Sequence, residues 1–155
     1  MSVVKQRDLF TSRWRNVQAV PQKEVAMQIQ LVSLLRWCLK PTVIFRHCPN
    51  GELRDIRTAQ KLKAMGVLPG SADLEFFWKD YFEDSDGSHT AFRALFLELK
   101  VPGNKLTSVQ AEFGLAMQTL GAEYHWVTSV EAAISILGSR GLIRSDVEVC
   151  GMRWR

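Results

Sequence analysis

Cysteine is scarce in this chain. Its 155 residues hold three cysteines, Cys38, Cys48 and Cys150. The number is odd, the spacing is wide, and neither a disulfide framework nor zinc-ligand spacing is present. A disulfide-stapled secreted domain is excluded on that reading, and a reducing, cytoplasmic setting is expected. The cysteines read as small hydrophobes. Long apolar runs are missing too. No stretch of eighteen apolar residues occurs, so no membrane-spanning helix is expected. The first residues, Met1-Ser2-Val3-Val4-Lys5-Gln6-Arg7-Asp8, lack the apolar centre of a signal peptide. Repeats and low-complexity tracts are absent.

What is present suits one ordinary α/β domain. Hydrophobic residues make up 46% of the chain, enough for a core. The net charge is +4, which permits a nucleic-acid partner without requiring one. The distribution is uneven. Residues 1–20 carry Lys5, Arg7, Arg13 and Arg15 against Asp8, and read as a basic arm. Residues 54–63 carry Arg54, Arg57, Lys61 and Lys63 against Asp55, and Arg153-Trp154-Arg155 closes the chain. The acids gather in 75–86.

The patterns predict the order α, β, α, β, β, α, β, α around a small mixed sheet. A first helix runs from Pro21 to about Leu39, with Met27, Leu31, Leu34, Leu35 and Cys38 as its apolar stripe and Pro41 beyond its end. Thr42–His47 is a short strand, followed by the turn Pro49-Asn50-Gly51. A basic helix over Asp55–Met65 ends at Gly66. Asp73–Trp78 and Phe92–Lys100 are partner strands, joined by a polar, acidic loop over 79–91. A helix over Thr107–Leu120, a strand over Ala122–Thr128 and a helix from Ser129 to Leu137, stopped by Gly138, complete the domain over 21–140. Residues 141–155 are a tail or add an edge strand at Asp146–Cys150.

The chemistry gathers on one strand. In Ala94-Leu95-Phe96-Leu97-Glu98-Leu99-Lys100, alternation puts Leu95, Leu97 and Leu99 on one face. Glu98 and Lys100 share the other, about 7 Å apart. Charges on an apolar strand need a partner or a cation. Pro69-Gly70-Ser71-Ala72-Asp73 delivers an aspartate onto the neighbouring strand. Strands lie about 4.8 Å apart, so Asp73 and Glu98 can converge on one Mg²⁺, with Lys100 beside them for an attacking water or developing charge. Taken singly, Asp73 is a turn residue, and Glu98 and Lys100 are a strand-end pair. Glu24 shares the apolar face of the first helix and is a third acid, or else a first-turn glutamate favoured by the helix dipole. Gln28 lies one turn on. Gln110 fits a capping box with Thr107, or reaches the site. Arg54, Arg57 and Lys61 share one helix face and either track phosphates or face solvent. His47 reads as structural, and His89 and His125 receive no role.

Phe45-Arg46-His47-Cys48-Pro49-Asn50-Gly51, Leu62-Lys63-Ala64-Met65-Gly66-Val67, Pro69–Leu74, Phe96–Lys100, Lys105–Gln110 and Gly121…Ser129–Ala133 together resemble the VRR-NUC nucleases. These are the virus-type replication–repair branch of the PD-(D/E)XK superfamily. Glu24…Gln28 fits the same pattern, and the likeness spans about residues 22–137. Ala72 stands where the family usually has proline.

The resemblance implies a restriction-endonuclease-like core and Mg²⁺-dependent DNA cleavage, with Mn²⁺ able to substitute. It implies Glu24, Asp73, Glu98 and the Leu99 carbonyl as metal ligands. Lys100 and Gln110 complete the catalytic set. The basic residues Arg54, Arg57, Lys61, Lys63 and Lys105 are the expected DNA contacts. Family members made of this domain alone resemble phage or prophage enzymes. They tend to be homodimers acting on branched DNA such as four-way junctions. The expected function is a Mg²⁺-dependent, structure-selective DNA endonuclease with no membrane partner. Its rivals are a binding module without cleavage, a packaging or restriction accessory, and an RNA-directed nuclease.

Overall fold

The computed structural model describes residues 24–48, 61, 62 and 64–154. Helix α1 (Glu24–Cys38) begins the described chain. Its buried face is Met27, Leu31, Leu34, Leu35 and Cys38, the stripe that helical spacing requires. Leu39, Lys40 and Pro41 follow it, and the chain turns into β1 (Ile44–His47). Strands β2 (Leu74–Asp84) and β3 (Gly87–Leu99) form a long hairpin. Helix α2 (Ser108–Thr119), β4 (Glu123–Val127) and helix α3 (Val130–Ser139) complete the series.

The sheet has four strands in the order β1-β2-β3-β4. The β1–β2 and β2–β3 pairs are antiparallel; β3–β4 is parallel. The mixed α/β architecture is the expected one. Strand alternation sorts the residues onto two faces. Leu74, Phe76, Trp78, Leu95, Leu97 and Leu99 form the core with α1 and α3. Phe96 and Tyr124, register partners on the opposite face, meet Phe113 of α2. Asp73 and Glu98 belong to this second face.

Several expectations change. Residues 79–91 are not a loop. The pairing Trp78↔Arg93 continues through Phe82↔His89 to Asp84↔Gly87, leaving Ser85 and Asp86 as a two-residue turn. The Asp84 carboxylate accepts from the Asp86 amide at 2.8 Å, and Gly87 takes a φ of 121° that favours glycine. Phe82 stacks on His89, Arg93 pairs with Asp80, and Ser88 donates to Glu83. Cross-strand pairs therefore hold an arm that is exposed on both faces.

The tail is not an edge strand of the sheet. Leu142, Ile143, Val147 and Val149 enter the core, joined by isolated bridges Leu39↔Ile143 and Val149↔Met152. Trp154 packs against the same core. Gly138 lies inside α3, with Arg140 as the cap, and it is there for packing. A Cβ on it would come within 1.8 Å of the Trp154 ring.

Of the basic helix, Lys61 is described as exposed, and Gly66 follows with a φ of 90°, as a helix stop requires. Arg54, Arg57 and Lys63, the basic arm 1–20 and the turn at Pro49-Asn50-Gly51 lie outside the described residues. Among those described, no helix is long and apolar enough to cross a membrane.

Candidate active site

The site lies where β2 begins and β3 ends. Asp73 immediately precedes β2, and its Oδ2 accepts from the Leu99 amide at 2.8 Å. That bond crosses from one strand to the next and fixes the aspartate beside Glu98. Glu98 is 2% exposed and Lys100 is 8% exposed. The Lys100 ammonium donates to Glu98 Oε1 at 2.8 Å. Gln110 Nε2, from the first turn of α2, donates to the same oxygen. Glu24, at the start of α1, accepts from the Val101 amide at 3.3 Å. The five side chains expected at the site converge on the 98–101 segment.

Gln110 caps its helix and also contacts Glu98. Its Oε1 accepts from the Thr107 amide at 3.0 Å, closing the capping box. Its Nε2 serves Glu98. One amide, with an acceptor end and a donor end, caps the helix and reaches the site. Lys105 is exposed on the connection between β3 and α2, and no contact ties it to the acids. Leu99 is buried, and its amide is held by Asp73.

The loop that delivers Asp73 leans directly on α2. A Cβ on Gly70 would lie 2.6 Å from the Val109 carbonyl oxygen, and Gly70 has a φ of 77°. Glycine is required there on both counts. Ser71 Oγ donates to the Leu68 carbonyl at 2.8 Å, bracing the same turn.

His47 is closer to this site than its sequence context suggests. Its Nδ1 is 2.8 Å from the Asp73 carbonyl oxygen and 2.7 Å from Gln28 Nε2. With a proton, Nδ1 donates to the carbonyl; without one, it accepts from the Gln28 amide. The ring therefore lies between α1 and the backbone of Asp73, and its Nδ1 bonds one of the two at a time.

Burial dominates the electrostatics. It pushes the Glu98 carboxyl up to about 7, with the charge of Asp73 adding to the rise and Lys100 opposing it. Burial also raises Asp73, against the Leu99 amide bond and the charge of Lys100. A carboxyl raised on folding binds its proton more tightly in the folded chain. Its stabilising contribution is complete below the ordinary carboxylate range and is lost as pH rises through about 7. The metal-free protein is therefore expected to melt lower at pH 8 than at pH 5.5, by on the order of 5 °C. Melting curves in EDTA across that range check this. A flat profile contradicts it.

The oxygen Glu98 Oε2 is buried with no hydrogen-bond partner. A buried acceptor left unpaired is costly unless something completes it. Among the described residues, no three His, Cys, Asp or Glu side chains form a group spaced to hold a metal. The carboxylates present are two on adjacent strands, Asp73 and Glu98, with the charges of Asp73 and Glu24 both acting on Glu98. Mg²⁺ keeps several waters and commonly takes one or two carboxylates together with substrate phosphate oxygens, so these residues fit it.

Fold and site define an α/β chain with acids and a lysine gathered at the sheet's end. The solved structure of a "VRR_NUC domain protein" shares this fold. It has a TM-score of 0.54 and 20% identity, covering 76% of this chain and 87% of that one. The resemblance read from the motifs is thus matched in the fold. No family model matches the chain, and no curated protein does.

Tyr124 is the residue that sequence reasoning passed over. It is 9% exposed, and its hydroxyl is buried without a partner. Burial raises its phenol above the ordinary value, and the nearby charges of Glu98 and Asp73 raise it further. Only the β3–β4 register brings it here, and no spacing within the chain encodes that register.

Proposed function

We propose that this protein is a metal-dependent DNA endonuclease. The observation that supports it most directly is the buried Glu98. One of its oxygens is held by Lys100 and Gln110, the other is left unpaired, and the charge of Asp73 acts on the same carboxyl. Asp73 and Glu98, with Glu24 and the Leu99 carbonyl, would hold Mg²⁺, or Mn²⁺ in its place. A cation held there would supply Lewis-acid polarisation of a phosphoryl oxygen.

The chain's own groups do the rest. Lys100 has three N–H donors and spends one on Glu98, leaving donors for the attacking water or the charge that develops at phosphorus. The water oxygen attacks phosphorus in line, and the bond to the 3′ oxygen breaks. The products are a 5′ phosphate and a 3′ hydroxyl.

The favoured substrate on this reading is branched DNA, and the active form is a homodimer. Two sites related by a two-fold axis would match the pseudo-symmetry of a four-way junction. The exposed cations Lys61 and Lys105 would contribute phosphate contacts. Purified protein is expected to cut four-way junctions and flaps faster than linear duplex in Mg²⁺ and to cut nothing in EDTA. Light scattering is expected to give twice the chain mass. DNA binding without cleavage in Mg²⁺ or Mn²⁺ would return the protein to a binding module. A monomer with no preference for branches would remove the junction assignment.

A further inference from the structure

Two buried polar atoms on the α2 side of the sheet lack partners, and they are chemically complementary. Glu98 Oε2 is an acceptor; the Tyr124 hydroxyl can donate. Their supports bring them together. Glu98 is on β3 and Tyr124 on the adjacent β4, where Phe96↔Tyr124 and Glu98↔Trp126 are register pairs. Both side chains belong to the same sheet face. Helix α2 covers both: Gln110 donates to Glu98, and Gly114, one turn along the same helix face, meets the Tyr124 ring. A Cβ on Gly114 would lie 2.6 Å from that ring, so the phenol occupies space that only a glycine leaves open. Phe113 holds the ring from the side, in an edge-on contact at 6.1 Å between centroids.

We infer that Tyr124 is a positioning residue for Glu98: through one water, its hydroxyl donates to Oε2 and keeps that oxygen turned toward the acidic site. A buried water linking otherwise unpaired polar groups is ordinary in protein interiors. Glu98 is then held at both oxygens, by Lys100 and Gln110 on Oε1 and by Tyr124 on Oε2. A carboxylate oriented in this way has no freedom to swing away when a cation approaches. Groups that orient ligands from outside the coordination shell typically change metal affinity by about 10- to 100-fold when removed.

This inference rests on the metal reading of the site, and the experiment separates the two. Mg²⁺ is titrated calorimetrically into wild type and Tyr124→Phe without DNA, and both proteins are melted in EDTA. The variant keeps the ring and its packing and removes only the hydroxyl. The expected result is Mg²⁺ binding weakened about 10- to 100-fold, with a metal-free melting temperature within about 3 °C of wild type. A hydroxyl that is merely stranded gives the opposite pattern: unchanged affinity and a higher melting temperature, because a desolvated group has been deleted. That outcome overturns the inference and leaves the metal site standing. Weakened binding with a melting temperature lowered beyond that margin also overturns it, since the ring's packing would then be the cause. No Mg²⁺ binding by wild type removes the metal reading itself, and this inference with it.

Discussion

Glu98→Gln is expected to lower Mg²⁺-dependent cleavage by on the order of 1000-fold while DNA binding persists. Two donors, Lys100 Nζ and Gln110 Nε2, converge on Oε1. The introduced amide must place its oxygen there. Its NH₂ then takes the position of the unpaired Oε2 and presents protons where a cation requires lone pairs. Asp73→Asn fails by the same logic: the Leu99 amide claims the oxygen, and the nitrogen faces the site. Phosphate contacts carry most of the affinity for DNA, so binding persists in both variants. Single-turnover cleavage and binding at matched salt make the comparison. Wild-type rates in either variant at low Mg²⁺ would refute the assignment.

Lys100→Met is expected to lower the cleavage rate by at least about 100-fold, the usual scale for losing one electrostatic stabiliser. From sequence, this lysine is placed beside the acids for an attacking water or developing charge. The structure buries it against Glu98, so the variant also leaves a buried carboxylate without its cation. Such a loss costs about 2 kcal/mol, limited here because a carboxyl already raised to about 7 can take up a proton. The stability cost is therefore expected to be larger at pH 8 than at pH 6. Thermal melts at both pH values, beside cleavage rates, separate the two roles. Near-normal cleavage with a large loss of stability would make Lys100 structural.

What the chain discloses on its own depends on whether the signal is local. The stripe Met27, Leu31, Leu34, Leu35 and Cys38 is a matter of periodicity, and α1 buries those residues. Asp73, Glu98 and Lys100 follow from alternation and from strands that must pair. The arm at 79–91 was misread because polarity stood in for loop. A ribbon exposed on both faces has no apolar alternation, and its pairing shows only in the register and in contacts such as Phe82 on His89. Gly138 looked like a helix stop because its partner, Trp154, is remote in sequence. Tyr124 was invisible for a similar reason. A parallel neighbour's register is a tertiary fact, set by how α2 and α3 dock.

Gly70 has a consequence for recognising chains that share this site. It sits between two supports, the turn that carries Asp73 and the helix that carries Gln110, and holds them in direct backbone contact with Val109. A methyl group there would wedge the supports apart and shift one acid relative to the other's anchor. A related sequence could retain every acid, the lysine and the glutamine, yet lose their alignment through one added carbon. The signature of this site therefore includes a required vacancy, and a search that scores only functional side chains would accept sequences unable to assemble it.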